Sequence, residues 1–340
     1  MTDMTTTSLS LDEVEDRAFA ALSACGASQP AARSLARAVA AAEAEGIASH
    51  GLLYVPTYCE HLGCGKVVKD AVPTLSKTKP STLVVDAGSG FAHPAIDMGF
   101  ERLIPLAREM GIAALAVRNS YNCGVLGYHT HRLASAGLLA MGFTHAPASI
   151  APVGGRRPVI GTNPFAIAVP GANGSVVISI DQSASVIAKS EIIKRKRDGR
   201  GIPPNWAFGP DGEPTTDPDL ALKGTMAPSG GYKGFGVGLL VELLASAAAG
   251  ALPSTEASPF SGPAGGPPRT GQFFIAIEAG ATSGGIFADR IATLVEAIVG
   301  QDGARLPGTR RVAQRAKAER EGVTVPTELL ERIARIGSGN

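Results

Sequence analysis

Thr82-Leu-Val-Val-Asp-Ala-Gly-Ser-Gly-Phe-Ala-His93 sets an apolar, β-branched run against a glycine turn. The run Thr82–Ala87 reads as a strand, because β-branched residues fit a pleated, buried surface. A helical stretch follows from Ala95 to Met110, with Pro105 an awkward interior residue. Gly111-Ile-Ala-Ala-Leu-Ala-Val-Arg118 then reads as the next strand. Strand, glycine turn, helix and strand in this order predict an α/β fold. A nicotinamide site of the common kind would place G-x-G-x-x-G at this turn. Gly88 and Gly90 are present, but His93 stands where the third glycine belongs. The chain is therefore read as α/β without the standard Rossmann fingerprint.

Working outward, Leu133 to Gly137 ends another helix. Leu138–Thr144, Phe165–Val169, Val176–Ile180 and Phe273–Ile277 read as further strands. Towards the N-terminus the texture is helical. Ser10-Leu-Asp-Glu offers a cap and an acidic first turn for a helix running to Ser23. Ser28 and Pro30 open a second helix, Ala31 to Glu45, which Gly46 can stop. A shorter helical piece, Leu52 to Leu62, follows the Ser49-His50-Gly51 turn. Thr327 to Ile336 reads as a terminal helix. Ser254–Thr270, rich in Pro, Gly and Ser, reads as a surface loop. Gly236–Ala251 is apolar but contains Glu242 and many small residues, so it reads as a buried helix and not a membrane span. The expected division is a helical unit over residues 1–75, joined by about 290–340, and an α/β unit over 76–289 that binds cofactor and substrate.

Charge and cysteines bound the function. Lys and Arg number 31 against 30 Asp and Glu, for a net charge of +1. No basic excess favours nucleic acid or an anionic membrane. Cys25, Cys59, Cys64 and Cys123 form no C-x-x-C pair and have no His partner at zinc spacing. Reduced thiols and a cytoplasmic location are expected. The N-terminal residues lack the basic start and apolar run of a signal peptide. Gly234-Phe-Gly236-Val-Gly238 has the wrong spacing for a dinucleotide turn, Gly63-Cys-Gly65-Lys66 is not a Walker loop, and H-E-x-x-H is absent.

Four segments stand out by their density of Gly, His, Asn and Pro. They are Ala48-Ser49-His50-Gly51-Leu-Leu-Tyr54-Val-Pro56-Thr-Tyr58; Arg118-Asn119-Ser120-Tyr121-Asn122-Cys123-Gly124; Pro152-Val-Gly-Gly155 with Gly161-Thr162-Asn163-Pro164; and Gly230-Gly231-Tyr232-Lys233-Gly234. In this order, and with Ile180-Asp181-Gln-Ser-Ala-Ser185, the Gly212–Pro218 run and Leu306-Pro307-Gly308, the chain resembles the second-type malate/L-lactate dehydrogenases. The resemblance runs from about Leu11 to Leu330. That family includes ureidoglycolate and sulfolactate dehydrogenases and reductases of Δ1-pyrroline- and Δ1-piperideine-2-carboxylate. The resemblance implies a non-Rossmann α/β domain that binds NADPH or NADH, beside a helical domain, in a homodimer.

Reducing C=O or C=N needs a hydride at carbon and a proton at the heteroatom. An acid with a pKa near neutral suits the second task, and His is the usual choice. His50 is the candidate, against the alternative of a helix-capping or core histidine. The resemblance implies that Ser49 and Glu191 relay to it; Glu191 otherwise reads as a solvated charge beside Lys189. Two departures follow from the same comparison. Tyr54 stands where the family's substrate-gripping Arg usually is, and Asn122 stands where a second His is usual. Substrate is then expected to be held by Tyr54, Asn122 and Thr162, which turns the reading from malate or lactate towards a cyclic ketimine carboxylate of the Δ1-pyrroline-2-carboxylate kind. A 2-hydroxyacid dehydrogenase and a non-catalytic nucleotide-binding relative are the alternatives.

The resemblance implies cofactor contacts from Ser120, Tyr121, Asn122, Cys123, Gly124, Asp181, Gln182, Ser183, Lys189, Ser190, Lys233, Arg305, Arg310 and Arg311. Arg310 and Arg311 could meet a 2′-phosphate or be a solvated pair; Asp181 could bind a ribose hydroxyl. Lys194–Arg200 reads as a solvated helix end, and Cys123 as a small pocket-lining residue. His129 and His131 read as surface or interface residues and not as metal ligands.

Overall fold

The computed structural model describes residues 5–338. Its N-terminal elements are β1 (Thr6–Leu9), α1 (Leu11–Ala24), α2 (Gln29–Ala44) and α3 (Val55–Gly63). Ser10 caps α1 as a reciprocal box: its Oγ accepts from Glu13 N at 3.2 Å, and Ser10 N donates to Glu13 Oε2 at 2.8 Å. Late in the chain, α11 (Thr309–Glu321), β11 (Val323–Pro326) and α12 (Thr327–Gly337) return to this end, where β11 pairs antiparallel with β1. Val14, Leu22, Leu35, Leu52, Tyr58, Ala318, Leu330 and Ile333 share one core. The first helices are thus closed by residues some three hundred positions away.

The remaining elements build a sheet and its covers. They are β2 (Thr74–Lys79), β3 (Thr82–Asp86), α4 (Ala92–Met110), β4 (Ile112–Ser120), α5 (Leu126–Ser135), β5 (Leu139–Thr144), β6 (Phe165–Pro170), β7 (Val176–Gln182), α6 (Lys189–Arg197), β8 (Ala207–Phe208), α7 (Pro218–Lys223), β9 (Thr225–Met226), α8 (Tyr232–Glu242), β10 (Thr270–Ile277), α9 (Ala279–Ser283) and α10 (Phe287–Val299). The large sheet has the order β2-β3-β4-β10-β5-β6-β7. Only β3 and β4, joined through α4, run parallel; every other pair is antiparallel. The quoted strand–turn–helix stretch is therefore the single crossover unit of a mostly antiparallel sheet. A dinucleotide fold wound on parallel strands is not what it opens.

Alternation along the strands assigns the faces. Leu83, Val85, Leu115, Val117, Phe274 and Ala276 face α4 and α5. Gly99 lets α4 approach this closely: a Cβ there would lie 2.4 Å from Leu115 Cδ2. Phe143, Phe273 and Ile275 on the other face meet Val241 and Ala245. Val169 and Ile178 meet Phe287, Ile291 and Val295. α10 therefore packs on the sheet, although its residues from 290 onward were expected with the helical unit.

Two further expectations are corrected. Gly236–Ala251 is helical, as α8 and a π-helical continuation over Leu243–Ala248, but it is buried on one face only: Val241 and Ala245 face the sheet, while Val237, Leu239, Leu240 and Leu243 are exposed. The Ser254–Thr270 loop is not simply superficial. Ser254 and Ala257 are buried, and Phe260 packs edge-on to Tyr121 with ring centres 5.5 Å apart. The loop spends its carbonyls and its one aromatic ring on the helical unit.

Candidate active site

Ser49 and His50 lie in a short 3₁₀ turn between α2 and α3. Glu43, near the end of α2, holds this turn: its Oε1 accepts from Leu52 N at 2.7 Å. Gly51 leaves room for that carboxylate, since a Cβ would come within 2.2 Å of the same oxygen. Ser49 Oγ and His50 Nδ1 are 3.1 Å apart, which leaves Nε2 as the nitrogen able to exchange a proton with a substrate. His50 is exposed to solvent at its edge, yet protein surrounds it closely enough that desolvation lowers its pKa. Asp181 raises that pKa and Arg311 lowers it, so these are the charges that act on the imidazole.

Asp181, near the end of β7, and Arg311, on α11, form an ion pair at 2.8 Å. Asp181 Oδ2 also accepts from Gly127 N at 3.1 Å. A Cβ at Gly127 would lie 2.8 Å from Asp181 Oδ2 and 3.1 Å from Arg311 Nη1, so the pair lies directly against the first turn of α5. Glu45, just past α2, stands 3.9 Å from Arg311. The cluster thus ties the helical unit, the late helix and the sheet together beside His50. One turn further along α11, Arg315 lines a cleft of about 410 Å³ with Glu45, Tyr128 and His131.

An aromatic chain leads inward from His50. Tyr54 lies near-parallel to His50 at 6.5 Å and edge-on to Tyr58 at 4.7 Å. Tyr58 and Tyr121 are fully buried. Tyr54 Oη donates to the Phe260 carbonyl at 3.3 Å, and Tyr58 Oη to Asn122 Oδ1 at 3.5 Å. Tyr121 Oη and His61 Nδ1 are 2.5 Å apart. Burial raises the pKa of all three phenols, so they stay neutral hydrogen-bonding groups. Lys66, also buried, donates to the Pro259 carbonyl. Tyr58, His61, Lys66, Glu45 and Phe260 were missed in the sequence. The spacing Tyr54, Tyr58, His61 on one helical face was the available signal.

The other expected residues fall into two groups. Ser120, Tyr121, Asn122, Cys123 and Gly124 form the end of β4 and the turn into α5. Ser120 is buried and bonded to Gln272 and the Thr270 carbonyl, and Cys123 is buried, its thiol pushed up to about 12 by desolvation. Their side chains pack inward, which leaves the turn's backbone and Asn122 for a ligand. Thr162, Gln182 and Ser183 lie together, because Ala184 N donates to the Thr162 carbonyl at 2.8 Å. Ser229 N donates to the Ala184 carbonyl at 2.8 Å, which brings the Gly230–Lys233 turn alongside. Lys189, Ser190 and Glu191 open α6. Glu191 makes no hydrogen bond to His50; the carboxylate acting on the imidazole is Asp181. Arg305 and Arg310 are exposed, whereas Arg311 is committed to Asp181. His129 is fully buried, correcting its reading as a surface or interface residue; His131 is half-buried. No cluster of metal-ligating side chains occurs among the described residues.

These residues fit a dinucleotide. α8 starts at Gly230–Gly231 without a side-chain cap and so leaves first-turn amides available to an anion, whereas at the start of α5 the Gly127 amide is already taken by Asp181. Fold and site define an oxidoreductase that works with NAD(P)H on a small substrate, built on an antiparallel-rich α/β sheet. The family model for malate/L-lactate dehydrogenase matches residues 9–334, and the chain belongs to that family. It is 42% identical to (2R)-3-sulfolactate dehydrogenase (NADP(+)) of Chromohalobacter salexigens, over 96% of each chain. It is 39% identical to Δ1-pyrroline-2-carboxylate reductase of Ancylobacter novellus, over 97% of each. The crystal structure of Δ1-piperideine-2-carboxylate reductase from Pseudomonas syringae superposes with a TM-score of 0.92 at 33% identity, covering 97% of this chain and 99% of that one.

Proposed function

We propose that the protein reduces a cyclic ketimine carboxylate, Δ1-pyrroline-2-carboxylate to L-proline and also Δ1-piperideine-2-carboxylate to L-pipecolate, with His50 as the proton donor. The observation that carries this reading is the neutral aromatic ring of Tyr54, near-parallel to His50 at 6.5 Å. Tyr54 offers this face where the family resemblance expects a guanidinium, and Asn122 adds neutral hydrogen bonds. A ring bearing an iminium nitrogen gains from a neighbouring aromatic face. Relatives named for the two imine substrates support the reading.

When bound, the reduced nicotinamide supplies the hydride to the imine carbon. The turn Ser120–Gly124, the strand end Asp181–Ser183, Lys189, Ser190 and Lys233 would hold that cofactor, with Arg305 and Arg310 at a 2′-phosphate. His50 Nε2 holds or returns the proton at the imine nitrogen, Ser49 fixes the imidazole through Nδ1, and Asp181 with Arg311 sets its proton affinity. Thr162 and Asn122 orient the substrate. Glu191 belongs to this mechanism only if substrate binding carries α6 towards His50.

The 42% identity to a sulfolactate dehydrogenase favours a second reading, oxidation of a 2-hydroxy acid. NADPH and NADH oxidation with the two cyclic imines, pyruvate and oxaloacetate, and NADP⁺ reduction with (2R)-3-sulfolactate, decide between them. Faster turnover of the oxo acids or of sulfolactate would refute the imine reading. His50→Ala is expected to slow the preferred reaction by about 10²–10⁴-fold; an unchanged rate in a folded variant would remove His50 from the chemistry. The exposed apolar face of Val237, Leu239, Leu240 and Leu243 supports a homodimer, which sedimentation would test. Among the described residues no helix is long and apolar enough to cross a membrane.

A further inference from the structure

Behind the Asn122–Gly124 turn lies a pair of histidines that the chemistry above does not use. His93, on the first turn of α4, and His129, on α5, are both fully buried, with ring centres 5.5 Å apart. Desolvation pushes His93 down to about 4 and His129 well below its usual value, so both are neutral at physiological pH. A neutral imidazole carries one N–H. In His129 that proton is on Nε2, which lies 2.9 Å from the Cys123 carbonyl. The remaining nitrogen of His129 and both of His93 find no hydrogen-bond partner among the described residues.

The Cys123–Gly124 peptide is held at both ends. Its carbonyl accepts from His129. Its N–H, on Gly124, donates to Asn122 Oδ1 at 3.1 Å. Gly124 adopts φ +67°, and a Cβ there would press to 3.4 Å from His93 Nε2, so His93 walls the turn from behind. Asn122 Oδ1 also accepts from Tyr58. With its oxygen engaged twice, the side-chain amide of Asn122 can turn only its Nδ2 donors outward. The Tyr54 phenol, whose pKa burial raises and Asn122 helps to lower, stands beside them.

We propose that His129 is a positioning residue for Asn122. It acts through the Cys123–Gly124 peptide, whose plane it fixes, and His93 keeps the turn from collapsing backwards. Asn122 then presents Nδ2–H to the bound substrate or dinucleotide in one orientation. This rests on the reading of Asn122 as a ligand contact.

The test is a double-mutant cycle in the full-length enzyme, read as KM and kcat for the preferred substrate and as Kd for NADPH. His129→Leu removes the donor; His129→Gln keeps an N–H at similar reach. The leucine variant is expected to raise KM or Kd about three- to tenfold, the loss of one neutral hydrogen bond's worth of order, with kcat less affected. Glutamine is expected to restore it to within about twofold. Asn122→Ala combined with His129→Leu is expected to be no worse than Asn122→Ala alone, because the two act in series. An Asn122→Ala defect to which His129→Leu adds in full would overturn the positioning role alone. A silent Asn122→Ala would overturn the reading of Asn122 and the positioning role with it. Should leucine prevent folding at this packed site, His129→Asn, which stays polar but falls short of the carbonyl, takes its place in the cycle.

Discussion

Replacing Asp181 by Asn tests how the proton affinity of His50 is set. The carboxylate is 10% exposed and its partner Arg311 32%, so solvent screens neither fully. At an effective dielectric of about 20, a unit charge several ångströms away is worth on the order of 1–3 kcal/mol. Asp181 raises the His50 pKa and Arg311 lowers it, so Asp181→Asn removes the raising charge and leaves the lowering one. The pKa falls. A proton donor must be protonated to act, so the reductive rate declines as pH rises through this pKa. In Asp181→Asn the declining limb of kcat moves to lower pH, so kcat on that limb drops on the order of tenfold, while the acid plateau is preserved. The assay is kcat against pH at saturating cofactor, which separates the effect from weaker dinucleotide binding. Arg311→Met should move the same limb the other way. Limbs that stay in place, or that shift in the same direction in both variants, would refute this electrostatic account.

Tyr54→Arg should lower KM for 2-oxo acids by about tenfold or more, through a charge-assisted grip on the carboxylate, and raise KM for the cyclic imine; the ratio of kcat/KM for the two substrates reads it. Glu242→Ala should destabilise the fold by about 2–4 kcal/mol in urea unfolding. It strands donors that now bond Glu242: Asn163 Nδ2 at 2.8 Å, and Ser254 N and Oγ at 2.8 and 2.5 Å. Burial raises the Glu43 pKa, so its stabilising contribution is complete below the ordinary carboxylate range and is lost as pH rises through the raised value. Glu43→Gln can keep the bond to Leu52 N, and its stability advantage over the wild type should widen from pH 5 to pH 8, read by denaturation at each pH.

How much of this was legible depended on whether a feature is local. Ser10 with Glu13 was read as a helix start and forms the reciprocal cap, because a cap involves only four neighbouring residues. The strands over 82–86, 112–120 and 139–144 were legible as β-branched or apolar runs. Where Thr270–Ile277 sits was not legible, since pairing with β4 and β5 across such sequence distances leaves no mark on either partner. At the site, Ser49 and His50 gained meaning only from the ordered motifs around them. The carboxylate near His50 was assigned to Glu191, next to the right motif in sequence, while the fold brings Asp181 there through β7. His129 was grouped with His131 as a surface residue, but two residues apart within α5 they lie on different faces, and His129 takes the buried one. Gly236–Ala251 was read as wholly buried from its apolar and small residues, and composition cannot distinguish a core helix from one with an outward apolar face.

The position of β10 also dictates the order in which this protein can assemble itself. It fills the middle of the sheet, between β4 and β5, yet it is the last of the seven strands to leave the ribosome. Until Thr270 emerges, the nascent chain carries two three-stranded ribbons, β2-β3-β4 and β5-β6-β7, each with a bare apolar margin awaiting the same partner. Such margins are adhesive. A message truncated before that codon would yield not a smaller enzyme but two unjoined halves with open edges, prone to stick to their neighbours on the same polysome.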